Sequence, residues 1–291
     1  MKIGAAAYPM TWLADWDAYE AKLTSWIAEA AGEGASLLVF PEYGAMELAT
    51  LGGAEVCADL ARATRQVSDL MGDVNQLHRD LCARHGVHVL GASGPLLQPD
   101  GTTVNRAHLH TPTGQTGFQD KILMTLWEKD PWQVTGGTAL KVFDTALGTL
   151  AVNICYDSEF PLQARAQRAA EVLLVPSATD KLEGYWRVRI GAMARALENQ
   201  CVVAMSSIVG HFPELDAVDV SVGMGGIFGP PDEGFPATGV LAEGALNQPG
   251  WTYAEVDLET VRRVRRSGNV RTLADWPEQA GEDSVECCEL R

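Results

Sequence analysis

The chain has 291 residues, 38 acidic against 22 basic, for a formal charge of −16. Hydrophobic residues make up 46% and charged residues 21%, a globular balance that excludes a disordered or fibrous chain. A phosphate backbone would be repelled by so acidic a surface, which argues against a nucleic-acid partner, and no apolar run approaches the roughly 20 residues that span a bilayer.

The N-terminus, Met1-Lys2-Ile3-Gly4, has no long apolar signal core and reads as a first strand, so a cytoplasmic protein without a membrane partner is expected. The predicted elements follow in order. A strand over 2–7 leads to a helix over 16–31, with Tyr19, Leu23, Ile27 and Ala30 on one face. A strand over 36–40 runs into Pro41-Glu42. Residues 54–85 are helical but too long for one straight helix, and a break is expected near Gly72-Asp73. Strands over 87–93, 106–110 and 117–119 come next, the last running into Asp120-Lys121. A strand over 149–154 ends on Cys155. A helix over 161–170 opens on Pro161, as a first helical turn allows. After a strand over 171–175, a helix over 185–198 carries Trp186, Ile190, Met193 and Leu197 at three- and four-residue spacings. Strands over 201–206 and 251–256 close the set. Arg262, Arg263, Arg265 and Arg266 read as a solvated helix end.

Strand–helix alternation predicts an α/β fold. With no linker and no repeat, residues 1–275 read as one domain. Residues 276–291 read as an acidic tail, mobile or docked on a partner subunit. Six scattered cysteines match neither a zinc ribbon nor a disulfide framework. Cys57, Cys82 and Cys201 read as small buried hydrophobes. His108 and His110 share a strand face but lack a third ligand at a persuasive spacing, so a solvated or hydrogen-bonded pair is expected and no metal or other cofactor.

Ligand sites in α/β folds gather at the carboxyl ends of strands. Three such ends carry a carboxylate, Glu42, an ammonium, Lys121, and a thiol, Cys155. Singly, each reads as an ordinary surface or core residue. Together they shift the balance towards one site, but composition and spacing alone do not decide it.

At these residues the chain resembles the nitrilase superfamily of carbon–nitrogen hydrolases. The resemblance is carried by Leu38-Val39-Phe40-Pro41-Glu42-Tyr43, by Lys121 through Glu128 with Gly136-Gly137, by Asn153 through Pro161 around Cys155, and by Arg195 through Gln200. It covers nearly the whole chain. It implies a four-layer αββα sandwich, a catalytic set of Glu42, Lys121 and Cys155, a second glutamate at Glu128, and a homodimer or larger homo-oligomer. The helices over 161–170 and 185–198 are the expected interface.

The physical roles stand beside it. A thiol, at about 8.5, is mostly protonated at neutral pH. A neighbouring ammonium lowers that value and a carboxylate can take the proton, so Cys155 is expected to be partly ionised. Glu42 is the expected general base. Lys121 and the backbone N–H of Tyr156 are the expected oxyanion donors. Glu128 orients Lys121 or the substrate nitrogen, or forms a structural ion pair with Lys121. Tyr43, Trp127, Tyr156, Asp157 and Trp186 are the expected substrate-binding residues, with Met46, Trp132 and Tyr185 as further pocket or core aromatic and apolar groups. Asp157 also reads as a cap on the turn after Cys155. The expected substrate is a small amide or nitrile. An amidase leads; a nitrile hydrolase, an N-acyltransferase, a carbamoyl hydrolase and a silent binding protein are the alternatives.

Overall fold

In the computed structural model, which describes residues 1–279 and Cys288, the chain order is β1 (Lys2–Pro9), α1 (Trp16–Gly32), β2 (Leu37–Val39), α2 (Ala54–Cys57), α3 (Leu60–His85), β3 (His88–Leu90), β4 (Gly94–Leu97), β5 (Thr103–His110), β6 (Thr116–Asp120) and α4 (Leu126–Lys129). Then follow β7 (Val142–Thr145), β8 (Gly148–Val152), α5 (Pro161–Ala166), β9 (Val172–Ser177), α6 (Leu182–Asn199), β10 (Val202–His211), β11 (Val220–Ser221), β12 (Gly226–Phe228), β13 (Val240–Glu243), β14 (Gly250–Glu255), α7 (Leu258–Ser267) and α8 (Thr272–Asp275). Beyond Gln279, apart from Cys288, the acidic tail lies outside the described residues.

The sheet turns at β1. One edge of β1 lies along β2. The other is shared, with β14 antiparallel to Lys2–Ala7 and β10 parallel to Ala7–Pro9. Strand β10 is shared in the same way, by β12 along Val203–Met205 and by β1 along Ser207–Val209. Two half-sheets therefore diverge from a short common edge. One holds β14, β1, β2, β3 with β4, β5 and β6; the other holds β7, β8, β9, β10, β12 and β13.

Alternation along the strands sorts the core into two layers. In the first half-sheet, Ala6, Tyr8, Leu38, Phe40 and Val89 pack with α1 and α3. Their neighbours Ile3, Ala5, Leu37, Val39 and Leu90 share a second cluster with β8, β9 and β10 and with Val188 and Ala192 of α6. Helix, half-sheet, half-sheet, helix is the four-layer αββα arrangement.

Local signals explain where the elements agree with expectation and where they do not. Helix α1 buries Tyr19, Leu23, Ile27 and Ala30, the predicted stripe. Helix α3 runs straight through Gly72-Asp73. The break lies instead at Asp59, whose carboxylate accepts from the Ala61 and Arg62 N–H groups and caps α3. Helix α6 is rotated from the predicted face: Tyr185, Val188, Ala192 and Ala196 are buried, while Trp186 and Ile190 are 46% and 63% exposed. Its inward face mixes Tyr185 and Val188 with small residues and arginines, and its outward one carries Trp186 and Ile190. The arginines of α7 are not simply solvated. Arg262 pairs with Glu171, and Arg265 donates to the carbonyls of Asn199 and Gln200 at the end of α6. Among the described residues no helix is long and apolar enough to cross a membrane.

Of the two readings expected for His108 and His110, the hydrogen-bonded one holds: His108 Nε2 lies 3.5 Å from Asn75 Nδ2 and His110 Nδ1 3.0 Å from Thr116 Oγ1. His110 stacks on His78 of α3 at 5.1 Å and His108 on His110 at 6.1 Å. Burial holds His78 and His108 at about 4 and His110 at about 2, well below the ordinary 6.5. Each ring is neutral in the fold and protonates more readily once unfolded. Its contribution to stability is complete above about pH 6.5 and is lost as pH falls towards 4. Thermal midpoints should therefore drop across that window, and His78→Phe should flatten the drop. A midpoint in the parent that does not move between those pH values would contradict this.

Candidate active site

Strands β1, β2 and β3 are parallel, and β6 regains their direction through the antiparallel β5. Strands β8, β9 and β10 are parallel to one another and, through β10, to β1. The carboxyl ends of β2, β6, β8 and β9 thus meet at one edge. There the structure brings together Glu42, Lys121, Cys155, Glu128 and the backbone of Ala178.

Lys121 is the centre. Its Nζ donates to Glu42 Oε1 at 2.8 Å and to Glu128 Oε1 and Oε2 at 2.8 and 2.7 Å. All three side chains are buried. Burial works against the ammonium, but the two carboxylates outweigh it and hold the Lys121 pKa above its ordinary value. Glu42 stands at about 7, raised by burial and by Glu128 against the pull of Lys121. Glu128 is driven the other way: burial opposes its charge, but Lys121, the Thr125 N–H and the Tyr43 hydroxyl keep it low. Two neighbouring carboxylates are therefore split into a firm anion and a group poised near neutrality.

Cys155 opens the short 3-10 turn Cys155–Glu159 with φ at 48°, a left-handed conformation rare outside glycine. Its Sγ donates to the Ala178 carbonyl at 3.6 Å, and the Ala178 N–H donates to Glu42 Oε2 at 3.1 Å. Burial and the Glu42 charge push the thiol well above its usual value, with Lys121 only partly offsetting them. The expectation of a partly ionised thiol is reversed: at rest Cys155 is protonated.

The other expected residues divide. Tyr43 is buried, donates to Glu128 Oε1 at 2.8 Å and stacks on Trp132 at 4.4 Å. Asp157 neither caps the turn after Cys155 nor presents a free carboxylate. Its oxygens accept from the Ile122 and Leu123 N–H groups, the closest at 2.8 Å, and so pin the loop after Lys121. Tyr156 sits edge-on to Phe160. Trp127 and Trp186 are each 46% exposed, on α4 and on the outward face of α6. Met46, Trp132 and Tyr185 are core residues.

Several supports escaped sequence reasoning. Thr125 donates through its N–H and hydroxyl to Glu128 Oε2, completing a capping box whose Thr-x-x-Glu spacing was readable. Asn105, inside β5, donates to Glu42 Oε1 at 3.0 Å. Arg195 donates to the Ser158 carbonyl at 3.0 Å and so holds the nucleophile turn from α6. Gly136 lies so close to Ile122 that a Cβ there would meet its carbonyl at 2.4 Å. That explains one glycine of the Gly136-Gly137 pair. Among the described residues no group of His, Cys, Asp or Glu is arranged to hold a metal ion.

Comparison with known proteins identifies the family. The carbon-nitrogen hydrolase family model matches residues 2–266, and the chain belongs to that family. Probable hydrolase YhcX of Bacillus subtilis is 35% identical over 215 residues, 73% of this chain and 42% of that protein. Deaminated glutathione amidase of Yersinia enterocolitica is 32% identical over 155 residues, 48% of this chain and 54% of that protein. The chain therefore spans about half the length of these relatives. Among solved structures, a carbon-nitrogen hydrolase from Helicobacter pylori G27 superposes with a TM-score of 0.74 at 20% identity, covering 91% of this chain and 92% of its own.

The buried pairs give a stability prediction. Glu128→Gln removes one of two charges that hold a buried ammonium, and breaking such a pair costs about 3 kcal/mol. Chemical denaturation should show a loss of that order, whereas Trp127→Ala, at a half-exposed neighbour, should cost far less. Equal losses for the two would refute the central place given to Lys121.

Proposed function

We propose that this member of the carbon-nitrogen hydrolase family is an amidase acting through a thioester on Cys155, with Glu42 as general base, Lys121 as oxyanion donor and Glu128 as the anchor of Lys121. The observation that carries the reading is one ammonium bridging two buried carboxylates beside a buried thiol. So many ionisable groups in so little space are costly to stability and belong to chemistry.

The steps follow from the protonation states. Glu42 Oε2 takes the thiol proton as Sγ attacks the amide carbon, and the carbonyl electrons move onto oxygen. That oxygen is held by Lys121 and the Tyr156 N–H. All three protons of Lys121 are already engaged, so the oxyanion displaces one contact to Glu128. Glu128 remains satisfied, because Tyr43 still donates to Oε1 and Thr125 to Oε2. As the C–N bond breaks, Glu42 passes its proton to nitrogen and ammonia or an amine leaves. Glu42 then takes a proton from water as the water oxygen attacks the thioester, the C–S bond breaks and the thiol is restored.

Amides are preferred to nitriles on two grounds. A relative with 32% identity is an amidase. The motif Cys155-Tyr156-Asp157 also departs from the Cys-Trp-Glu usual among nitrilases. Paired assays on a primary amide and its matching nitrile, read by ammonia release, should favour the amide. Its kcat/KM should rise through an acid limb near pH 7, where Glu42 ionises, and Cys155→Ala should abolish turnover. Preference for nitriles across several pairs would overturn the amidase reading, and turnover by Cys155→Ala would overturn the mechanism.

The same reading takes the protein as a homodimer through α5 and α6. Leu162, Trp186, Ile190 and Leu197 lie exposed there, and exposed apolar side chains grouped on neighbouring helices are what a protein interface covers. Light scattering should give a dimer for the parent and a monomer for Ile190→Asp. A monomeric parent at micromolar concentration would contradict it.

A further inference from the structure

We infer that Asn105 is a positioning residue for Glu42: its side-chain amide, oriented by Ser93, fixes which carboxylate oxygen faces the thiol and favours the ionised form of the base. The inference rests on the reading of Glu42 as base.

The network has only one consistent direction. The Tyr43 N–H donates to Ser93 Oγ at 3.1 Å, so that hydroxyl has its own proton to give. It gives it to Asn105 Oδ1 at 2.7 Å. With Oδ1 occupied as an acceptor, Asn105 Nδ2 is left to donate to Glu42 Oε1 at 3.0 Å. A flipped amide would set its oxygen against a carboxylate oxygen and its NH2 against a hydroxyl, losing the donor where the charge is. All members are buried, so no solvent competes for these bonds.

The network also divides the work of the two carboxylate oxygens. Oε1 accepts from Asn105 and Lys121 and is filled. Oε2 accepts from the Ala178 N–H alone among the described residues, and Ala178 is also the residue whose carbonyl receives the Cys155 thiol. Oε2 is therefore the oxygen left to take the proton. Asn105 further ties the base to the cation: its own carbonyl accepts the Lys121 N–H at 2.9 Å. One residue of β5 holds Glu42 by its side chain and Lys121 by its backbone. A merely structural asparagine would affect stability and leave the ionisation of Glu42 where it was.

The test follows alkylation of Cys155 by iodoacetamide, itself a small primary amide, from about pH 5 to pH 9, in the full chain, by peptide mass spectrometry. In the parent the rate should inflect near pH 7, as Glu42 becomes able to take the thiol proton. Asn105→Ala should move that inflection upward by about one pH unit, the worth of one hydrogen bond to a charged group. Ser93→Ala, which frees the amide to flip, should move it the same way by less, and decides the question alone if Asn105→Ala does not fold. Glu42→Gln is the control and should abolish the inflection. An inflection that persists in Glu42→Gln overturns Glu42 as base, and the inference with it. An inflection lost in Glu42→Gln but unmoved in folded Asn105→Ala or Ser93→Ala overturns the inference alone.

Discussion

The buried ammonium of Lys121 is the constraint on which the rest of the site depends. A charge taken out of water is costly unless it is paired and hydrogen-bonded. Here one cation meets two carboxylates, so the pairing itself leaves an excess of negative charge. That excess needs donors, and the structure supplies them from every side. Tyr43 and Thr125 serve Glu128. Asn105 and the Ala178 N–H serve Glu42. Asp157 holds the loop that keeps Lys121 in place. The unequal supply separates the two glutamates. Glu128, richly served, stays an anion; Glu42, with fewer partners, is left near neutrality, where a proton carrier is useful.

The fold makes this supply possible because the donors come from separate elements that share one edge. Glu42 follows β2, Lys121 follows β6, Cys155 follows β8 and Ala178 follows β9. Among the described residues the two half-sheets pair strand to strand only where β1 meets β10. Their carboxyl ends are joined there, so groups from both halves come within reach of one thiol. Helix α6 adds the last restraint. Gly191 lets its backbone come close to the Ser158 carbonyl, and Arg195 donates to that carbonyl. The strained turn at Cys155 is thus gripped from behind.

What the sequence revealed of this was uneven, for physical reasons. The stripe of α1 was legible because large apolar residues recur at helical spacing and nothing competes with them. The reactive groups at strand ends were legible because strands are short and their ends sharply marked. The face of α6 was not. Beside Tyr185 and Val188 its inward residues are small or dual-natured, such as Ala192, Gly191 and Arg195, while Trp186, Ile190 and Leu197 point outward. Hydrophobicity alone then selects the wrong side. Asp157 and Asn105 were also hidden. Each acts by bonding to a group more than 30 residues away along the chain, a pairing that only the folded topology brings about.

The ionisation of Cys155 could not be read from neighbours in sequence, because it is decided by burial. A lysine near a thiol suggests a thiolate. Yet burial and Glu42 push the thiol up further than Lys121 draws it down. The resting nucleophile is therefore a neutral thiol beside a carboxylate that is itself raised. Raising both groups has a consequence for the chemistry. Proton transfer from thiol to carboxylate is governed by the difference between their affinities, and an unperturbed carboxylate would be a poor acceptor. Burial and Glu128, against the pull of Lys121, lift Glu42 from 4.5 to about 7, which brings the acceptor closer to the donor. On the proposed mechanism, the negative charge that moves from Glu42 to sulfur, and from sulfur to the oxyanion, stays within the surroundings of one ammonium. Lys121 need not move far to follow it; it exchanges one oxygen for another while the charge it compensates changes place.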